Sequence, residues 1–141
     1  MQKAENAVAL DVAEAEWDRL CEMWDLDTSP SELNEDEKST FSIMRKKIIG
    51  LVMQGRACVD TEKGAFKYTL TNPIGLIKEL SFRLPKGGDF EKADKCKDTE
   101  DVKRNNTIIA LMIKEPLSVA QQIEGVDYKV ARTISSLFMS L

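Results

Sequence analysis

The chain contains no histidine. That removes the commonest general base and the commonest metal ligand together. Its three cysteines, Cys21, Cys58 and Cys96, are an odd number without CxxC or metal-like spacing, so neither a disulfide framework nor a zinc site is indicated. Aromatic residues make up only 6% of the chain, and they do not interleave with basic residues as a base-stacking surface requires. No run approaches the roughly 18 apolar residues of a membrane span. The first residues also lack the basic, apolar and small-residue layout of a leader, so an intracellular, cytoplasmic protein with no membrane partner is expected.

Catalytic motifs are missing as well. There is no GxSxG, no Ser-x-x-Lys and no cysteine with a placed base. Gly87-Gly88 lacks the lysine–hydroxyl ending of a phosphate loop and reads as a turn. The acidic run Glu35-Asp36-Glu37 lacks the alternating Asp/Asn and glycine of a calcium loop and suits a helix N-terminus. No catalytic, cofactor or metal residues are expected, and the chain is not read as an enzyme.

What is present fits a small globular protein. Of 141 residues, 43% are apolar and 31% charged. A chain of this length typically buries about 68–70% of its unfolded surface, enough for a real core. The net charge of −4 conceals an asymmetry. Residues 1–39 carry 12 acidic and 3 basic residues, a net of −9, whereas the remainder carries 12 acidic and 17 basic, a net of +5. This is either an ordinary solvated acidic helix or an acidic arm that docks on a basic surface, its own or a partner's.

Periodicity gives the element order. Over residues 6–25, Leu10, Ala13, Trp17, Leu20, Cys21 and Trp24 recur at helical spacing, forming a stripe suited to core packing or to a partner surface. A break at residues 27–37 holds two helix-start signals, Ser29-Pro30-Ser31-Glu32 and Asn34 with Glu37. The second helix runs to about residue 54, with Phe41, Met44, Ile48, Leu51 and Val52 on its apolar side and Arg45, Lys46 and Lys47 opposite; Gly55 suits its stop. RACVD, the turn TEKG and AFKYTL read as a hairpin. TNPIG is read as the next connection and IKELSFRL as a third strand, which completes a three-strand antiparallel meander. Pro85 and Gly87-Gly88 end the sheet, and Asp89 caps a short polar helix. A longer helix from Thr99 to Lys114 follows, apolar nearly all round in its second half, as befits a central or an interface helix. After Pro116 come one or two helical turns and a last helix capped by Asp127, with Val130, Ile134, Leu137, Phe138 and Leu141 on one stripe. The expected fold class is α+β: an acidic two-helix arm over residues 1–55, then a small antiparallel sheet with C-terminal helices over residues 56–141.

The second half carries a recognisable layout. A strand ends in Arg83-Leu84-Pro85, and Lys86-Gly87-Gly88-Asp89-Phe90 opens a helix. The apolar segment IIALMIKE follows, then a Leu-Ser…Ile-Glu-Gly-Val-Asp-Tyr step over residues 117–128 and a terminal apolar helix. In this order and spacing, residues 68–141 resemble the bacteriophage tail assembly chaperones of Mu-like and related phages. The first 67 residues, the acidic helices among them, are not part of that likeness. The resemblance implies a non-enzymatic protein that binds the tape measure protein and helps recruit tail tube protein; self-association through the same apolar helix faces is expected besides. Exposed apolar helix faces would shield the client, since large apolar patches usually mark interaction sites. Ile109, Met112 and Ile113 on the central helix, Phe138 and Leu141 on the last, and Trp17 and Trp24 on the first are the candidate partner-binding residues, each with ordinary core burial as the alternative. A second reading is a winged-helix-like nucleic-acid binder, with Arg45-Lys46-Lys47 on the second helix and Lys63, Lys67 and Lys78 extending a basic face over the hairpin. The pI of about 5.0 and the acidic arm weigh against it.

Overall fold

The computed structural model describes residues 8–26, 35–85, 88 and 101–139, without the side chains of residues 37, 101, 138 and 139. The elements are α1 (Leu10–Met23), α2 (Glu35–Met53), β1 (Ala57–Asp60), β2 (Ala65–Ile74), β3 (Ile77–Arg83), α3 (Asp101–Ile113), α4 (Leu117–Gln121) and α5 (Gly125–Met139). The fold is α+β, and the sheet is an antiparallel meander in the order β1-β2-β3. The two helix-start signals before residue 35 and the short helix capped by Asp89 fall outside the described residues.

The sheet forms where alternation demanded it. Phe66, Tyr68, Leu70, Leu80 and Phe82 point to one face and are buried there. Tyr68 pairs with Leu80 and Phe66 with Phe82, so these residues stack in cross-strand pairs. The helices cover this face. Ala13, Trp17, Leu20 and Trp24 of α1 join the same cluster, as do Ile48 and Val52 of α2, Ile109 and Met112 of α3, and Ile134 and Leu137 of α5. Trp17 tilts against Phe41 with ring centroids 5.4 Å apart, and Trp24 donates its indole N–H to the Gly64 carbonyl at 3.2 Å. Glu16 accepts the Val59 amide at 2.9 Å and so satisfies a donor of strand β1. Residue 55 is therefore a boundary between helices and sheet, with one core on both sides of it.

Three helices end in the same way. Leu26 N–H donates to Cys21 O and Asp25 N–H to Glu22 O after α1; Arg56 to Leu51 and Gly55 to Val52 after α2; Glu115 to Ala110 and Lys114 to Leu111 after α3. Each pair is the Schellman pattern, which needs a left-handed residue at its pivot. Gly55 meets that need with φ +72, as its position suggested, but Asp25 and Lys114 adopt φ +51 and +55 with a side chain in place. Lys114 is exposed, and its strain has no compensating contact among the hydrogen bonds and ion pairs described. Lys114→Gly is expected to stabilise the protein by roughly 0.5–1 kcal/mol, measured as a higher urea midpoint at unchanged slope. A lower midpoint would contradict this account of the α3 terminus.

Two expectations are corrected. TNPIG is not a connection: β2 continues through Thr71, Asn72 and Pro73 to Ile74, and the turn is Gly75-Leu76. Gly75 has φ +58, as the first central residue of a type II′ hairpin requires. Pro73 is tolerated because the ladder is interrupted between Thr69 and Ile74. Nor does Asp127 cap α5. That helix begins at Gly125, and Asp127 sits in its first turn with its carboxylate turned to the sheet. Strand β1 pairs with β2 only as far as Tyr68, so the amides beyond it need other acceptors. Asp127 supplies them: Thr71 N–H donates to Oδ1 and Asn72 N–H to Oδ2, both at 2.9 Å.

Candidate functional site

The residues expected to meet a partner are mostly core residues. Ile109 and Met112 have no exposed surface, Ile113 has 7%, and Trp17 and Trp24 have 3% and 4%. The cause for α3 is its position: it packs against β3 on one side and against α4 and α5 on others, which accounts for an apolar surface nearly all round. These five side chains are not an exposed partner surface. The Phe138 side chain and Leu141 lie outside the described residues.

A different surface is open. Helices α2 and α5 lie side by side and leave a groove between them. Its first stretch, about 320 Å³, is walled by Lys46, Lys47, Gly50 and Leu51 of α2 with Gln54 just beyond it, and by Val126, Lys129, Val130 and Thr133 of α5. Its second stretch, about 340 Å³, adds Thr40, Ile43 and Met44 on one wall and Arg132 and Ser136 on the other. The two share Lys47, Lys129 and Thr133, so they form one trough. The beginning of α5 faces the end of α2 and the end of α5 faces its beginning, so the walls are antiparallel.

The floor is apolar and partly wet. Ile43 is 53% exposed and Val126 59%, with half-buried Leu51 and Val130 between. The rim is cationic. Lys46, Lys47, Lys129 and Arg132 are all exposed, and among the described residues none of them is in an ion pair. Among the described residues no carboxylate lines either stretch. Arg45, the first residue of the Arg45-Lys46-Lys47 run, turns away and pairs with Glu14 of α1 at 3.1 Å.

A buried polar cluster fixes the α5 wall. Asp127 is fully buried and accepts the Tyr68 hydroxyl at 2.6 Å besides the two amides. The Arg56 guanidinium donates to the Tyr68 hydroxyl at 3.2 Å, also bonds the Thr71 hydroxyl, and lies 3.8 Å from Asp127 Oδ1. Burial pushes the Asp127 pKa up, but the hydrogen bonds from Tyr68, Asn72 and Thr71 outweigh it and hold the carboxyl below its ordinary value. The Tyr68 hydroxyl is pushed up to about 12, by burial first and then by donation to Asp127. Asp127 lies one residue from Val126 and two from Lys129, so this cluster sets the position of the groove wall.

Little else offers chemistry. Burial and Asp18 push the Cys21 thiol up to about 11, and burial raises that of Cys58. Both are thereby held protonated, opposite to a nucleophile's need. Among the described residues no group of His, Cys, Asp and Glu could hold a metal ion, and no helix is long and apolar enough to cross a membrane. Lys46 and Lys47 are legible in the sequence as part of a basic run, whereas Lys129 and Arg132 are not. Their spacing of three on the last helix, beside Val126, Val130 and Thr133, was the available signal. Comparison with family models, with curated proteins and with solved structures finds no match to this chain.

Proposed function

We propose that this protein is a phage tail assembly chaperone, a non-enzymatic protein of the host cytoplasm that holds the tape measure protein and helps bring tail tube subunits to it. The observation that carries this reading is the α2–α5 groove, a long trough with an exposed apolar floor and a rim of cations that are in no ion pair among the described residues. An exposed apolar strip of this kind suits capture of an apolar segment that would otherwise aggregate. The order of motifs over residues 68–141 supports the same reading. The client-binding surface moves from the buried faces of α3 and α1 to the groove, and self-association through that groove would compete with the client.

Nucleic acid is the less favoured occupant. Of the residues expected to extend a basic face over the hairpin, Lys67 is paired with Asp60 at 3.3 Å, and on the second helix Arg45 is paired with Glu14. Co-expression with a fragment of the tape measure protein tests the proposal. The expected result is a client that stays in the soluble fraction and co-purifies with this chain. A client that remains insoluble, together with a salt-dependent shift of duplex DNA, would overturn it.

A further inference from the structure

The groove has a feature that the fold does not require. Gly50 sits in the last turn of α2, three residues before its end at Met53 and still inside the helical ladder through the Gln54 N–H on its carbonyl, where glycine costs up to about 1 kcal/mol relative to alanine. Its backbone is not left-handed, and a Cβ built on it meets nothing within 4 Å. Neither conformation nor internal packing asks for a missing side chain there. Gly50 lines the groove, so the space it leaves opens to whatever lies in the trough.

Shape and charge narrow the occupant. The α2 wall runs from Thr40 to Gln54, which at a rise of ~1.5 Å per residue is about 20 Å, the length of a helix of about 14 residues. Two antiparallel helices form a trough into which a third helix packs, and a glycine at the contact lets the axes approach closely. The apolar floor asks for an apolar stripe. Lys46 and Lys47 on one rim and Lys129 and Arg132 on the other ask for carboxylates flanking it.

We infer that the α2–α5 groove binds an acidic amphipathic helix of the partner protein, seated over Gly50 with its carboxylates between the two cationic rims. This deepens the chaperone reading and rests on it, because it names the chemistry of the client segment. The occupant's apolar residues recur at helical spacing and meet Ile43, Leu51, Val126 and Val130. Its acidic residues engage cations that are in no ion pair among the described residues.

Fluorescence anisotropy on the full chain tests the inference. The probe is a labelled amphipathic peptide of about 14 residues, with leucines on one helical face and glutamates elsewhere, beside a control with lysine for each glutamate. The acidic peptide is expected to bind, to gain helicity and to weaken as salt rises, while the basic control does not bind. Lys46→Glu combined with Lys129→Glu should weaken binding at least about ten-fold. Gly50→Leu should weaken it to a similar extent while leaving the melting temperature equal or higher, because leucine is the better helix former and its Cβ enters open space. That combination separates a blocked groove from a damaged fold. Equal binding of the basic peptide, or unchanged binding by a folded Gly50→Leu variant, overturns the inference. If the acidic peptide fails to bind while a tape measure fragment is still held soluble, the acidic-helix inference is wrong and the chaperone reading stands. If both fail, both are wrong.

Discussion

Asp127→Ala is expected to lower the unfolding free energy by roughly 3 kcal/mol and the melting temperature by about 10 °C. The loss does not come from one contact. Asp127 has no exposed surface and accepts the Tyr68 hydroxyl and the Thr71 and Asn72 amides. Removing it strands these donors and leaves the Arg56 guanidinium without the carboxylate 3.8 Å away. Truncation of a buried, hydrogen-bonded charge is costly chiefly through the groups it leaves unpaired. Asp127→Asn keeps one acceptor and should lose less, while its amide group faces backbone donors. Urea unfolding of the three proteins gives the comparison, and a loss below about 1 kcal/mol for alanine would show that water satisfies the stranded groups.

The same residue gives a pH dependence with a definite sign. The native pKa of Asp127 lies below the ordinary 3.8. Its carboxylate therefore stabilises the native state fully above the unfolded value, and that contribution is lost as pH falls through the lower native one. The stability difference between the wild type and Asp127→Ala is expected to be constant near neutrality and to shrink in acid below about pH 4. A difference that grew in acid would contradict the hydrogen-bonded carboxylate.

Trp17→Ala carries the other large effect, about 3–5 kcal/mol. Trp17 is 3% exposed and packs on Phe41 inside the cluster that holds the sheet. On the same helix Glu16 accepts the Val59 amide, so α1 is bound to the sheet by polar and apolar contacts together. Unfolding should remain a single transition in which sheet and helix are lost together. A loss under about 1 kcal/mol, or an early separate melting of helix, would make residues 1–55 an appendage rather than part of the core.

The parts of this fold legible in the sequence are those set by short-range pattern. Alternation in AFKYTL and LSFR marked the strands, because one face of a small sheet must be buried. Gly55 marked a helix end, because the stop requires a left-handed residue. The parts that escaped depend on distant residues. Asp127 looked like a helix cap, since nothing local shows that Thr71 and Asn72, more than fifty positions earlier, lack a strand neighbour. Pro73 looked like a breaker for the same reason. The tryptophans on α1 had the spacing of a core or of an interface, and only the position of the sheet decided between them. The groove escaped because half of it belongs to α5, and its floor residues Leu51 and Val130 sit on stripes that are otherwise buried.

The most direct measurement of the central claim is the soluble fraction of a co-expressed tape measure fragment with wild-type protein and with the Lys46→Glu, Lys129→Glu variant. Both reversals lie on the exposed rim of the groove and leave the core untouched. The groove account predicts that the wild type keeps the client soluble and that the variant, with an unchanged melting temperature, leaves it in the pellet. A variant that protects the client as well as the wild type would contradict the account, because the client would then be held somewhere other than between α2 and α5.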